Sequence, residues 1–452
     1  MTIDRKTRRK LRPGITLKPA ELLWVVEASL LLTIAVYFAL GYVSYIATHR
    51  TITNFHYDFA FFYTAFSVVW HHSPPALMYD KPLEQAFLRQ HRYIVNAPDE
   101  YVYPPQFAVF FSFLAALPYR AASILWTVFA FVGYALSVIL LGRLGFVKRG
   151  RGRLLTRRGA GLPWLVFAAL CAANDGFNSD VLLGNVTWLL LLLITLGFYL
   201  RYTFRWKFLA GVPIGIAAVI KITPAVLFFY YLLRREWRMA FGILTGAAIS
   251  SVVAAFVIGW RTLWQFVTAF YGLFHSSMKN GPAPHNLSFE GDLAYLANVA
   301  HVISPAAVLP VFLAILVGLA LLVIWLIWSG RVDDPRADMA LAALCVIVFS
   351  PLVEGTHLLL LLISITMVFS LWWSEYTTVG KTMSRTDTVW LGTFALACLM
   401  LSLVREIVDH LVHGSALLVP GYLLLVVAVL WFLSRLRPSG SFEESSALSQ
   451  ID

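Results

Sequence analysis

The sequence predicts an all-α protein that crosses a membrane many times. Three observations carry this. Of the 452 residues, 59% are hydrophobic and only 13% charged, whereas soluble domains are about half apolar and a quarter charged. Apolar runs of about twenty residues recur along the chain, each able to cross a ~30 Å hydrocarbon core as a helix. None of the runs alternates residue by residue as outer-membrane barrel strands do. Backbone that meets no water must bond to itself, so the runs are helices.

About twelve spans are expected. The first, 22–45, follows a basic stretch, 1–21, and shows no cleavage site, so it reads as a retained helix rather than a leader. Residues 46–119 then form a long outside loop carrying interfacial helices. Within it, "PPQFAVFFSFLAALP" (104–118) is too short to cross and reads as interfacial or re-entrant. Spans follow at 120–142 and 160–174, then an outside loop, "NDGFNSDVLLGN", then a span at 186–201. Two half-length apolar segments, 208–220 and 223–233, lie between the basic clusters "RYTFRWK" and "RREWR". They read as a hairpin that enters and returns, with "KITP" at its tip. A span at 239–258 leads to a second long outside loop, 260–304, and the last spans are 305–328, 338–352, 358–373, 388–404 and 416–434.

The net charge of +11 does not point to nucleic acid. Lys and Arg crowd into 1–21 and into "RLGFVKRGRGRLLTRRG" (143–159), beside membrane segments, where the positive-inside rule accounts for them. They can also touch anionic lipid. The expected organisation is a basic cytoplasmic N-terminus, one transmembrane domain over 22–434, and a disordered cytoplasmic tail over 435–452. Both termini are then cytoplasmic, in a multi-pass protein of the inner (plasma) membrane. The sequence does not speak to oligomeric state.

Under this topology the costly polar residues gather on the outside. Asp58 stands in "TITNFHYDFAFFYTAF", walled by Phe55, Tyr57, Phe59, Phe61, Phe62 and Tyr63. A partly desolvated carboxylate holds its proton more tightly and suits a general base; the plainer reading is a helix N-cap. Lys221, at the hairpin tip, reads as a phosphate ligand or as a snorkelling lysine. His285, Asn286 and Ser288 in "PAPHNLSFEGD" can serve a sugar or simply form a solvated loop. His357 in "SPLVEGTH" can bond a phosphate or cap the outer end of a span. Tyr79, Asp80, Tyr103, Asn174, Asp175, Asn185 and Glu354 lie on the same side. No metal site is expected, because His71, His72 and His91 lack a third ligand at metal spacing. Nor is there a GxGxxG, Walker A or HExxH motif.

In order, "YDFAFFYTAF", "LMYDKPL", "YVYPPQFAVFFSFLAALP", "LLGNVTWLLLLL", "LAGVPIGIAAVIKITPAVLFFYYLLRREWR", "HNLSFEGDLAYLA" and "SPLVEGTH" resemble glycosyltransferase family 87, the polyprenyl-phosphate-mannose-dependent mannosyltransferases of the GT-C superfold. The resemblance covers about residues 54–375. It implies Asp58 as the catalytic base and Lys221 and His357 as ligands of the donor phosphate. It further implies Tyr103, Asn185, His285, Asn286, Tyr63 and Asp80 as residues that orient sugar or substrate. One of the family's paired histidines is replaced by Thr356, and its Gly-Gln-X-Asn element reads Gly184, Asn185, Val186, Thr187.

The implied reaction is inverting transfer of a sugar, with mannose the expected one, from a polyprenyl-phosphate donor to a lipid or glycan acceptor outside the membrane, with no cofactor. A carrier or flippase for lipid-linked sugars would use the same groove without needing Asp58 as a base. An O-antigen polymerase or ligase would be expected to place more arginine in its outside loop than Arg261.

Overall fold

The computed structural model describes residues 25–33, 36, 57–90, 101–146, 161–268, 286–298, 300–375, 383–403 and 418–436. Among them there is no sheet, only one isolated bridge between Asn174 and Ser402. The helices are α1 (25–33), α2 (Tyr57–Trp70), α3 (Lys81–Gln90), α4 (Pro105–Phe111), α5 (Tyr119–Phe146) and α6 (Gly161–Ala172). There follow α7 (Asp175–Leu183), α8 (Thr187–Tyr199), α9 (Lys207–Ile220), α10 (Val226–Leu233), α11 (Trp237–Ile258) and α12 (260–268). The last are α13 (Phe289–Asn298), α14 (Val308–Trp328), α15 (Pro335–Val348), α16 (Leu361–Trp373), α17 (Arg385–Met400) and α18 (Leu418–Arg435).

Five described helical stretches are long and apolar enough to cross a membrane: Tyr119–Phe146, Thr187–Phe204, Trp237–Ile258, Pro305–Trp328 and Gly355–Trp373. The other expected spans map onto shorter helices, or onto 22–45, of which only 25–33 and 36 are described. The segment 174–185, expected as a loop, is instead the helix α7. Its start is capped by Asn174, whose side chain accepts from Phe177 N at 2.9 Å, and its end is closed by Gly184 at φ 67°. Such local capping lets nine residues form a helix that hydropathy alone does not reveal.

The centre of the bundle is α16, every residue of which is buried, with α15 beside it buried from Ala337 to Val348. The outer helix α14 is the opposite case, with Leu313, Val317, Leu321 and Trp328 at least half exposed. A helix apolar all round but bare of protein suits a lipid neighbour.

The first arm of the hairpin, α9, is held to α11 by close backbone contact. Gly211 and Gly215 of α9 lie against Gly242 and Gly246 of α11. A Cβ on Gly246 would collide with the Val212 carbonyl, and one on Gly215 with the Ile243 carbonyl. Small residues four apart on both helices let the two backbones touch where lipid offers no hydrophobic drive. Gly246→Leu is therefore expected to cost on the order of 3 kcal/mol, at the upper end of ordinary overpacking. Thermal denaturation of the purified protein in detergent measures it. Gly318→Leu, on the bare helix with nothing within 4 Å, is the control expected to melt like the wild type.

At the far end of this hairpin lies a buried ion network. Asp338 Oδ2 meets Arg201 Nη1 at 2.7 Å and its Oδ1 meets Arg234 Nε at 3.0 Å. Tyr230 donates to Oδ1 at 2.8 Å and Tyr202 donates to Oδ2. The basic clusters that signalled topology in the sequence thus turn two arginines inward, tying α8, α10 and α15 together.

Candidate active site

The site end of the bundle is where α8 starts, α9 stops and α2 begins. Asp180 makes the start of α8 possible: its carboxylate accepts from Thr187 N at 3.1 Å and Trp188 N at 2.8 Å. Burial pushes the Asp180 carboxyl up to about 7, and the two N–H groups oppose that shift. With Gly184 in the left-handed turn, Asn185 is delivered at 1% exposure. Trp126 Nε1 donates to the carbonyls of Gly184 at 2.9 Å and Asn185 at 3.2 Å, which fixes the turn.

Asn185 then becomes a junction. Its Nδ2 donates to Asp58 Oδ2 at 2.6 Å, and its Oδ1 accepts from Val186 N at 2.7 Å and from Tyr103 OH at 3.4 Å. Lys221, where α9 gives way to extended backbone, donates from Nζ to Tyr103 OH at 3.2 Å. The same ammonium lies 5.2 Å from the Tyr103 ring centroid. Three hydrogen bonds thus run in series from Asp58 through Asn185 and Tyr103 to Lys221. Four residues remote in sequence share one site.

Asp58 occupies the first turn of α2. Burial, foremost, and the Glu354 carboxylate push its carboxyl up to about 7, while the Asn185 hydrogen bond and Lys221 pull the other way. Burial and Asp58 hold the Tyr103 phenol well above its ordinary range, so it stays protonated and donates to Asn185.

His357 opens the stretch leading into α16. Its Nδ1 accepts from Glu354 N at 3.1 Å, and the Glu354 side chain accepts from the His357 backbone in return. A neutral ring that accepts at Nδ1 carries its hydrogen on Nε2. That Nε2 is buried, has no partner within ordinary hydrogen-bond reach among the described residues, and lies 3.9 Å from Glu354 Oε2; the ring's other polar neighbour is the Leu352 backbone. The capping role foreseen for His357 is present, and it leaves one donor over.

The remaining expected residues divide. The Asn286 amide is fully engaged: Nδ2 donates to Glu290 Oε2 and Pro351 O, both at 3.0 Å, and Oδ1 accepts from Ser288 N and Val353 N. It staples α13 to the segment carrying Glu354. Asp80 accepts from Leu83 N at 3.2 Å, at the start of α3. Tyr63 donates to Leu117 O at 2.7 Å, fastening α2 to the end of the short apolar segment 104–118. His285 and Phe55 lie outside the described residues. The aromatics expected to wall the site are largely core: Phe59, Phe61 and Phe62 are at most 4% exposed, and Phe62 packs edge-on to Tyr103 and Phe107. Phe59, Phe62 and Phe66 hold α2 against α5 by packing on Trp126, and Phe62 and Phe66 hold it against α4 by packing on Phe107.

Two acids near this site escaped assignment from sequence. Asp180 had a readable signal, an acid seven residues before Thr187 at a helix start. Glu354 was visible only as an acid in an apolar stretch just before a span.

Comparison with known proteins bears on this site. The sequence model of glycosyltransferase family 87 matches residues 101–354. A Mycobacterium tuberculosis protein is 28% identical over 294 residues, 62% of this chain and 64% of the relative. It is named polyprenol-phosphate-mannose-dependent alpha-(1-2)-phosphatidylinositol mannoside mannosyltransferase. A Mycolicibacterium smegmatis protein, named polyprenol-phosphate-mannose-dependent alpha-(1-2)-phosphatidylinositol pentamannoside mannosyltransferase, is 26% identical over 269 residues, 58% of each chain. The chain therefore spans about three-fifths of the length of these relatives. The family match takes in Tyr103, Asn185, Lys221 and Glu354 and covers more than half of the 452 residues, so this chain belongs to glycosyltransferase family 87.

Proposed function

We propose that the chain is a polyprenyl-phosphate-mannose-dependent mannosyltransferase, acting on a lipid or glycan acceptor at the outside face of the inner membrane. One observation carries this reading. The hydrogen-bonded series Asp58–Asn185–Tyr103–Lys221 sets a proton acceptor and a cation at the two ends of one short path. Displacement of a phosphate from a sugar by a hydroxyl needs that pair.

In the proposed step the acceptor oxygen bonds to the anomeric carbon as its proton passes to Asp58. The bond from that carbon to the phosphate oxygen breaks, and its electrons leave on the polyprenyl phosphate. Entry opposite exit inverts the anomeric centre. Negative charge grows on the departing phosphate, where a fixed cation lowers the barrier most. Lys221 supplies it, and the family resemblance adds His357 as a second donor. Asn185 and Tyr103 orient the sugar between the two ends, while Asn286 acts from behind by holding 351–354. An Asp58 carboxyl raised to about 7 is a base matched to neutral pH. The relatives' names make a phosphatidylinositol mannoside the acceptor to try first.

The test is reconstitution of the purified protein with polyprenyl-phosphate-mannose and a phosphatidylinositol mannoside, read by mass spectrometry. Gain of one hexose on the acceptor supports the reading; no transfer from this donor to any phosphatidylinositol mannoside refutes it. In the same assay Lys221→Ala is expected to raise the donor KM at least about tenfold, roughly the 1.4 kcal/mol of one lost charge-assisted contact. An unchanged donor KM would remove Lys221 from the phosphate.

A further inference from the structure

Glu354 sits beside this site with a function still open. Its side chain is 42% exposed, whereas that of His357 is 6% exposed. The segment that carries it is unusually well held. Asn286 donates to Pro351 O and accepts from Val353 N, Ser288 Oγ donates to Pro351 O at 2.8 Å, and Leu287 N donates to Val353 O at 2.7 Å. Four hydrogen bonds thus set the position of a half-exposed acid. A carboxylate offers about four acceptor sites, and one is taken by the His357 backbone N–H. Next to it is the leftover His357 donor, 3.9 Å away and too far for a direct bond.

A group placed between Oε2 and Nε2 must donate to one and accept from the other. A hydroxyl does both; a phosphate oxygen offers no hydrogen and would be repelled by the carboxylate. Glu354 also acts electrostatically on Asp58, Lys221 and Tyr103.

We propose that Glu354 and His357 form a clamp for one hydroxyl of the polyol acceptor, next to the hydroxyl that attacks, and so make Glu354 a specificity-determining residue. This rests on the mannosyltransferase reading and changes one part of it: the phosphate charge falls to Lys221, and the His357 N–H serves the acceptor.

Glu354→Gln tests the clamp, because its carbonyl oxygen keeps the cap on His357 N–H. KM for a phosphatidylinositol mannoside and for polyprenyl-phosphate-mannose are measured separately, with the melting temperature. The expected result is an acceptor KM raised at least about tenfold, a donor KM within twofold of wild type, and an unchanged melting temperature. An unchanged acceptor KM overturns the proposal. So does an equal rise in both KM values or a lowered melting temperature, which would mark a purely structural cap. A wild-type protein that transfers no mannose refutes the underlying reading instead, and the clamp with it.

Discussion

Asp58→Asn is expected to leave donor affinity within about twofold of wild type and to lower transfer by about 10³-fold, inside the ~10²–10⁴ range for a lost general base. The substitution is nearly isosteric. Its amide oxygen can still accept from Asn185 Nδ2, so the series of hydrogen bonds to Lys221 survives. What disappears is the ability to take a proton. Near-normal turnover in this variant would remove Asp58 from the chemistry. Sugar movement across the membrane without transfer, persisting in the variant, would favour a carrier instead.

The pH profile of the wild type gives a second measure. Asp58 must be unprotonated to act, so the rate should fall as pH drops through about 7 and level off above it. The groups that set this point are the surrounding apolar walls and Glu354 and Asp180, which raise it, and Asn185 and Lys221, which lower it. Glu354→Gln removes one like charge, so its acid limb should move to lower pH.

Asp338→Ala is expected to cost 3–5 kcal/mol of stability, the range for breaking a buried ion pair by removing one partner. Three features place it there. Asp338 is 1% exposed, it is the shared partner of Arg201 and Arg234, and it accepts from Tyr202 and Tyr230. Among the described residues, its removal leaves Arg201 with Glu236 alone, at 3.3 Å, and Arg234 with the more exposed Asp333 alone, at 3.7 Å, at the joint of α8, α10 and α15. Thermal unfolding in detergent should show a large drop, or no folded protein. Asp338→Asn keeps some acceptor capacity and should lie between. A melting temperature like wild type in the alanine variant would mean the network is solvated in the working protein.

Some of this was legible in the residues and some was not, and the division has a physical basis. Hydropathy runs mark helices because lipid forces the backbone to close its own bonds, so α5, α8, α11, α14 and α16 fall close to where they were expected. The half-length hairpin was readable because 208–220 and 223–233 are each too short to cross. The helix α7 was not, since its ends are set by Asn174 and Gly184 rather than by apolar spacing. For the site, residue type showed that Asp58 and Lys221 were costly in a membrane. It did not show that Asn185 and Tyr103 join them, or that Tyr63, Asp80 and Asn286 spend their polar atoms on neighbouring backbone.

By itself the sequence determined the class, the approximate places of the five long apolar helices and the family. Each of these depends on local composition or on a short contiguous pattern. Only the tertiary structure decided which polar group meets which: Asp58 with Asn185, Lys221 with Tyr103, Arg201 and Arg234 with Asp338, Glu354 with His357. Most of these partners stand more than a hundred residues apart, and helices of similar hydropathy pack in many orders. What selects one order is the need to satisfy every buried charge and amide at once, a condition met in space rather than along the chain.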